Sequence, residues 1–447
     1  MAINNRYLQY LLTVARPPFK KIVRLNFLQP DNSVAFSLGN SQVKTGYATR
    51  HDTRAFIQSG SLSVSMNNGQ RRRATITLSN LDKAFDYNVN NIWFGQRVRL
   101  DMGIQLPDRT DFLLPQGVFY INNPSSVFKP NEKTVSFPLI DKWAYLDGTL
   151  AGRINQTYSA TVPENNQAGS TFVAMRRILE LSKHTHLDTT DRLAMIDNVA
   201  PIFTNYYDDK YYNRRKDDGT IERIPMTQLP YDVTENIGGT FANILLQLTQ
   251  TFAGLIGYDQ TGALRVEPSQ EDISDSDKPI LWNFTPENSL LCGLTETYKN
   301  SEVCNDVLII GEGLTNNEIW GRATNYDPKS DTNVNLIGLK SFVESRAEYW
   351  TEGQCVDLAS WYLKRKTILQ KSVNIECSQL FHLMENRLVT IKRTDKEGSP
   401  VERHLINSFT LPIGETGSMT INATSVSDLP IISTETQSGK ETQVISN

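Results

Sequence analysis

Hydrophobic and polar residues alternate along the first third of the chain, a pattern typical of strands with one buried face. The clearest case is a hairpin in which the segments 62–66 and 74–78 flank the turn residues Asn67-Asn68-Gly69. Further alternating segments follow at 98–104, 117–121 and 134–139. Short strands separated by turn residues predict an antiparallel barrel or sandwich over residues 1–150.

Helical spacing replaces this alternation between residues 151 and 275. Ser170 and Thr240 are candidate N-caps, and each precedes apolar residues three and four positions apart. A short hairpin is predicted around Gln260-Thr261-Gly262. We interpret residues 151–275 as an α+β insertion.

Residues 276–430 return to a strand pattern interrupted by one helix. Thr351-Glu352-Gly353-Gln354 fits the capping-box pattern and predicts the start of that helix. Strands are predicted at 372–377, 387–393, 403–411 and 418–426. The segment 431–447 is rich in Ser, Thr and Gln, and we expect it to be a mobile C-terminal tail.

The two strand-rich regions share an order of features. Each has a strand, a polar loop, a strand containing Ile-Asn (Ile121-Asn122 and Ile406-Asn407), a second loop and a further strand. Any two antiparallel meanders can share such an order, so chance similarity stays an alternative. If the repeat is real, one chain holds two similar barrels separated by the insertion.

Composition narrows the class of protein. The 447 residues are 39% hydrophobic and 21% charged, which is enough for a core and excludes wholesale disorder. The net charge of −4 argues against a broad surface for duplex nucleic acid, because such proteins usually carry a basic excess. The four cysteines, Cys292, Cys304, Cys355 and Cys377, lack zinc-site spacing, so we predict buried free thiols.

The sequence also sets expectations about location. The N-terminal apolar stretch is short, is interrupted by Gln9 and precedes the charges of Lys20 and Lys21, which makes it a poor signal peptide. No run approaches the ~18 apolar residues that a membrane-spanning helix needs. We expect synthesis in a cytoplasm and no membrane-spanning segment.

Catalytic signatures are absent from the sequence, and we predict no enzyme activity, catalytic residue, metal or cofactor. His184-x-His186-x-Asp188 could supply metal ligands on a strand, but the segment follows a predicted helix end, where histidine is electrostatically favoured. A glycosidase would need two carboxylates across a cleft. The candidates for such a pair are Asp208, Asp209, Asp217, Asp218, Glu271 and Asp272.

Two further segments stand out by composition. Arg71-Arg72-Arg73 adjoins a turn, where charge on a solvated edge would block stray strand pairing. Contact with a partner's carboxylates or with nucleic acid is the alternative. The stretch Tyr206–Lys216 mixes tyrosines with charge, which suits a protein interface, base stacking or a loop packed on its own domain.

The chain resembles the baseplate hub proteins of tailed bacteriophages and of related contractile injection machines. Segments from both strand-rich regions carry the resemblance: 94–100, 117–121 and 141–146 in the first, and 356–363, 388–391 and 404–409 in the second. These are diffuse patterns of strands and loops without a chemical signature. Unlike some members of the family, the chain shows no appended lysozyme or peptidase segment.

The resemblance implies a β-dominated α+β fold with two tail-tube-like antiparallel β-barrels and the insertion between them. It also implies a homotrimer that places six barrels in a ring at the tail tip of the virion. Such a hub would join the tail tube or distal tail protein ring to a spike or central fibre. It would line a channel for DNA, with the tape-measure protein as a possible neighbour.

Two other functions remain open at this point. One is a tail-associated enzyme that degrades glycans or peptidoglycan through paired carboxylates. The other is a receptor-binding tail protein that uses the Tyr206–Lys216 region.

Overall fold

Strands dominate the structure, a computed structural model. It describes residues 5–29, 32–40, 57–80, 85, 96–130, 132–161, 171–182, 211–215, 221–225, 229, 232–250, 254–268, 279–285, 291–298, 300–312, 318–346, 352–367, 371–392, 401–414, 417–426 and 434–440. The strands are β1 (Lys21–Leu28), β2 (Val34–Gly39), β3 (Ile57–Ser65), β4 (Arg72–Ser79), β5 (Arg97–Gln105), β6 (Asp111–Ile121), β7 (Ser125–Lys129), β8 (Glu132–Asp141), β9 (Tyr158–Ala160), β10 (Tyr211–Arg215), β11 (Ile221–Pro225), β12 (Val233–Glu235), β13 (Gly254–Tyr258), β14 (Leu264–Pro268), β15 (Ile280–Phe284), β16 (Leu291–Tyr298), β17 (Asp306–Glu312), β18 (Glu318–Asn325), β19 (Ser341–Arg346), β20 (Lys371–Cys377), β21 (Leu388–Ile391), β22 (Glu402–Pro412), β23 (Met419–Val426) and β24 (Thr434–Lys440).

Helices are fewer than strands among the residues that the structure describes. They are α1 (Asn5–Val14), α2 (Thr171–Leu181), α3 (Phe241–Gln250), α4 (Val334–Ile337) and α5 (Glu352–Lys366), with single 3₁₀ turns at Lys142–Tyr145 and Asn300–Glu302. Thr240 Oγ1 accepts a hydrogen bond of 3.2 Å from Asn243 N, so it caps α3 as predicted. Helix α1 was not predicted, because its stretch was considered only as a signal peptide and judged a poor one.

The chain divides into two compact units, each built from three separate segments. The first contains Met1–Tyr206, Asp232–Thr295 and Val373–Ala423, and the second contains Tyr207–Tyr231, Glu296–Ser372 and Thr424–Asn447. The division predicted at residues 150, 275 and 430 follows the order of strand-rich and mixed regions along the sequence, and it stays a prediction.

A 14-stranded, largely antiparallel sheet organises the first unit. We name two groups of six strands within it. The first strand set has the spatial order β1-β5-β6-β8-β4-β3, and the second strand set has the order β15-β21-β22-β23-β20-β16. Numbered along the chain, both sets have the order 1-4-5-6-3-2, so the repeat seen in the sequence extends to strand order. One difference is that β15 runs parallel to β21, whereas β1 runs antiparallel to β5.

The prediction of two barrels is confirmed only in its coarser part, the dominance of antiparallel β structure. The described strands of the two sets form one continuous sheet, and no closed barrel is found among them. A single hydrophobic core runs through both sets, from Val23 and Leu25 on β1 to Ile421 on β23. The two sets are therefore joined physically and do not have separate cores.

The second unit is a smaller sheet covered by a helix. Its strand order is β19-β17-β18-β24, and α5 packs Cys355, Ala359 and Leu363 against apolar residues of β17 and β18. Gly321 permits the close approach, because a Cβ there would collide with the backbone nitrogen of Val356. Strand β24 pairs antiparallel with β18.

Residues 434–440 form strand β24, so the prediction of a mobile tail over residues 431–447 is wrong for this segment. Residues 434–440 complete the edge of the second unit's sheet, and their backbone groups gain hydrogen-bond partners there. A Ser/Thr/Gln-rich segment can do this because β pairing uses backbone groups and tolerates polar side chains.

A buried aromatic cluster anchors α1 in the first unit. Tyr10 Oη lies 3.0 Å from His382 Nδ1 and accepts a hydrogen bond of 3.0 Å from Phe381 N. His382 Nε2 lies 3.2 Å from the carbonyl oxygen of Leu281. Burial lowers the pKa of His382 to about 4, although the Leu281 carbonyl acts in the opposite direction. The ring is therefore neutral at pH 7.

This burial predicts a specific pH dependence. His382 has a lower pKa in the folded chain than the 6.5 of an exposed histidine, so only the unfolded chain takes up a proton as the pH falls from about 6.5 to 4. The stability that His382 contributes should fall over this window, by about 3 kcal/mol in all. Urea unfolding at several pH values, for wild type and His382→Asn, measures the contribution as a difference. A difference that does not change between pH 7 and pH 4 would contradict the assignment.

Candidate functional site: the junction between the two strand sets

Strands β3 and β22 join the two strand sets edge to edge. They pair antiparallel from Ser408 opposite Ser65 to Pro412 opposite Ser61. Two backbone bonds extend the ladder at its ends, Met66 N to Asn407 O at 2.7 Å and Ile413 N to Gly60 O at 2.9 Å. The junction is therefore a strand pairing between residues some 350 positions apart in the chain.

The alternation of apolar residues explains why these two strands meet in this register. Leu411 lies opposite Leu62 and Phe409 lies opposite Val64, and each of the four side chains is at most 1% exposed. Directly opposed apolar pairs on one face stabilise a sheet by roughly 0.2–1 kcal/mol each, in addition to the gain from burial. A shift by one residue would turn all four toward the opposite face.

The end of β22 also contacts the far end of the first strand set. Lys21 Nζ, at the start of β1, donates a hydrogen bond of 2.9 Å to Gly414 O and a second bond to Pro412 O. Burial lowers the pKa of Lys21 to about 7. Strand β22 thus contacts both β3 and β1, the two ends of the first strand set, which shows that the set curls strongly.

A buried ion pair spans the same junction. The Arg72 guanidinium donates to Glu385 Oε2 at 2.6 Å and to the Gln116 carbonyl at 3.0 Å. Arg72 is 1% exposed and Glu385 is 4% exposed. Arg72 belongs to the first strand set, and Glu385 lies in the segment that leads into β21 of the second, so the pair fixes one set against the other.

The Asp141 carboxylate accepts hydrogen bonds from the backbone of Arg71 and Arg72 and so positions both residues. Its Oδ2 accepts bonds of 2.9 Å from both Arg71 N and Arg72 N, and its Oδ1 accepts one of 3.1 Å from Trp143 N. Burial raises the pKa of Asp141 to about 6, while the three N–H donors act in the opposite direction. The carboxyl group therefore fixes the start of β4 to the end of β8.

A second buried pair connects the hairpin β13–β14 to the second strand set. Arg387 contacts Glu267 with two bonds, of 3.0 and 3.1 Å, and Asn386 Nδ2 adds one of 2.9 Å. Burial alone would raise the pKa of Glu267, but the positive charge of Arg387, with help from Arg71 and Asn386, holds it at about 2. Glu267 is therefore charged throughout the neutral range.

The turn predicted at Asn67-Asn68-Gly69 also contacts this hairpin. Gly69 N donates to Ile256 O, and Asn68 Oδ1 accepts from Ile256 N, both at 2.8 Å. Gly69 has a φ of +89°, and a Cβ there would lie 2.8 Å from the Trp143 indole nitrogen. Glycine is required both by the left-handed backbone and by the close contact.

The prediction that Arg71-Arg72-Arg73 is a solvated edge or a partner contact is wrong for two of the three residues. Arg71 and Arg72 are buried, and only Arg73 is exposed, where it donates to Gln70. Their carboxylate partner, Glu385, was missed. Nothing local signals it, because the two residues are 313 positions apart in the sequence.

Several predicted candidates lie outside the described residues. These are His184, His186, Asp188, Asp208, Asp209, Asp217, Asp218, Glu271 and Asp272. Of the Tyr206–Lys216 stretch, Tyr211–Arg215 is described and forms β10, which pairs with β11. Within the described part of the chain no group of three potential metal ligands is found, and no helix there is long and apolar enough to cross a membrane.

The cysteine prediction is confirmed for two of the four residues. Cys355 and Cys377 are buried thiols that form no disulfide, and burial with help from Glu352 raises the pKa of Cys355 to about 11. Cys304 is free and partly exposed. The side chain of Cys292 lies outside the described ones.

The buried ion pair at the junction gives a second prediction. Glu385→Ala would leave the Arg72 guanidinium buried without its partner, and we expect a loss of about 3–5 kcal/mol in the free energy of unfolding. The matched control is Arg73→Ala, next in the chain but exposed, with an expected loss of about 0.5 kcal/mol or less. Chemical denaturation followed by tryptophan fluorescence measures both. Equal losses for the two variants would contradict the structural role of the pair.

The fold is shared with two solved tail proteins, one of which comes from a prophage. The tail protein from Neisseria meningitidis MC58 superposes with a TM-score of 0.52 at 8% identity, over 92% of this chain and 98% of that one. The 43 kDa tail protein of prophage MuSo2 from Shewanella oneidensis gives a TM-score of 0.51 at 11% identity, over 91% and 98%. The resemblance to phage tail proteins is thus confirmed at the level of the fold. No protein family model matches the sequence, and no curated protein is a significant match.

Proposed function

We propose that this chain is a structural hub of a phage-type tail tip and that three copies form a ring containing six strand sets. The observation that carries the proposal is the repeated strand order 1-4-5-6-3-2 within one chain. The fold shared with two solved tail proteins, one of them from a prophage, supports a role in a tail.

The repeat explains how such a hub could join parts of different symmetry. A tail tube has sixfold symmetry, and a spike or central fibre has threefold symmetry. Three chains with two equivalent strand sets each present six similar surfaces on one side, while the chain as a whole repeats three times. In this proposal each strand set acts as one tube-like barrel of the ring.

The proposed hub function also implies contacts with other tail components and a location in the virion. The hub would contact the tail tube or distal tail protein ring on one side and the spike or fibre on the other. Its lumen would let DNA pass during genome ejection and would adjoin the tape-measure protein. The protein would be made in the host cytoplasm and act in the virion, with no catalytic, metal or cofactor function of its own.

The oligomeric state tests this proposal directly. Native mass spectrometry of the full chain at micromolar concentration should show a species of three times the monomer mass, with no stable dimer. A head-to-tail contact that closes on itself produces a ring of fixed size. A chain that stays monomeric at every concentration, or that stops at a twofold dimer, would contradict the proposal.

A further inference from the structure

The internal junction between β3 and β22 implies a second junction of the same kind. The shared strand order makes β16 the counterpart of β3, because each occupies the last place in its set. It makes β6 the counterpart of β22, because each occupies the third place. Whatever contact β22 makes with β3 should therefore have an equivalent made by the β6 region and a copy of β16.

The strand registers locate that equivalent on β7. Phe119 pairs with Val98 in the first set, and His404 pairs with Val389 in the second. Each lies two residues before the shared Ile-Asn, so Phe119 and His404 hold the same place. Counting forward from them, Val127 takes the place of Pro412. The second half of β22, which forms the junction, therefore corresponds to residues 123–127 and the start of β7.

The exposure of β7 differs sharply from that of its counterpart. Phe128 is 76% exposed and Val127 is 44% exposed, and each of the five residues of β7 is exposed. Ile413, which takes the place of Phe128, is fully buried and donates its N–H to Gly60 O at the junction. An edge strand that exposes apolar side chains, as β7 does with Val127 and Phe128, is a template for pairing with another chain.

Strand β16, the expected partner of β7, also has an open edge. Among the strands that the structure describes, β7 pairs with β8 alone and β16 pairs with β20 alone, so each has one open edge. Aligned from their first residues, β3 and β16 place Thr295-Glu296-Thr297 where β3 has Ser61-Leu62-Ser63. Thr295 and Thr297 are exposed, as are Ser61 and Ser63.

We propose that the ring closes by antiparallel pairing of β7 of one copy with β16 of the next. The inference rests on the proposed function, and it assigns the surface and the partner that would hold the trimer together. Each chain would then carry one internal junction, β22 with β3, and contribute to two external junctions of the same geometry. The contact is heterologous, and repeating it closes a ring of three when neighbouring copies are related by one third of a turn.

Cross-linking between two single-cysteine variants tests the pairing itself. Since Pro412 lies opposite Ser61 at the internal junction, Val127 of one copy should lie opposite Thr295 of the next. Opposed residues place their Cβ atoms about 4.5–5.5 Å apart, close enough for a disulfide after a small shift. Val127→Cys and Thr295→Cys should therefore cross-link under mild oxidation when the two differently tagged variants are mixed.

The controls separate this contact from others. Each variant oxidised alone should show only the background that the native cysteines give in wild type. Thr297→Cys, mixed with Val127→Cys, tests a register shifted by two residues along β16. A trimer that forms without cross-linking at either threonine would overturn the inference and leave the proposed function intact. A chain that forms no trimer would overturn both, and a Val127→Cys homodimer would show a twofold contact instead.

Substitution of Phe128 tests the role of β7 independently, through the native mass of the assembly. Phe128→Asp should leave the melting temperature of the monomer unchanged, because the side chain is 76% exposed, and should shift the native mass from trimer to monomer. The matched control is Ile237→Asp, which adds the same charge at a position that is 68% exposed in the turn before α3. The control should stay trimeric. Trimer formation by Phe128→Asp at the wild-type concentration would contradict the role of β7.

Discussion

The pairing of β3 with β22 is the contact on which the rest of the first unit depends. It brings together residues from the two ends of the chain and turns two six-stranded sets into one sheet with one core. Loop closure over such a distance is costly in entropy, so the contact has to be strong. The opposed pairs of Leu411 with Leu62 and Phe409 with Val64 supply that strength, since all four side chains leave water completely or nearly so.

The buried charges around the junction make its geometry specific. Apolar contacts alone tolerate small displacements, whereas the bonds of Arg72 to Glu385 and of Arg387 to Glu267 require fixed distances and directions. A charge left without its partner in this interior would cost several kcal/mol, which penalises any alternative register. The bonds between Arg387 and Glu267 also hold the β13–β14 hairpin against the second strand set.

Sequence patterns predicted faces and local elements well and long-range partners poorly. The hairpin around Gly69, the cap at Thr240 and the repeat follow from periodicity and turn chemistry, which act over a few residues. The burial of Arg72 could not be predicted, because its partner Glu385 lies 313 residues away and a basic run is usually solvated. The strand β24 and the parallel pairing of β15 were missed for the same reason, since a strand's own residues do not specify its neighbour.

The repeated strand order and the open edges of β7 and β16 would allow the pairing seen between β3 and β22 within one chain to recur between neighbouring chains. The most direct measurement is a cryo-electron microscopy reconstruction of the purified assembly at a resolution that separates strands. The account predicts three chains and six strand sets around one axis, with neighbouring sets in contact through the same strand pairing within and between chains. A ring whose chains meet through any other surface, or a particle with twofold symmetry, would contradict it.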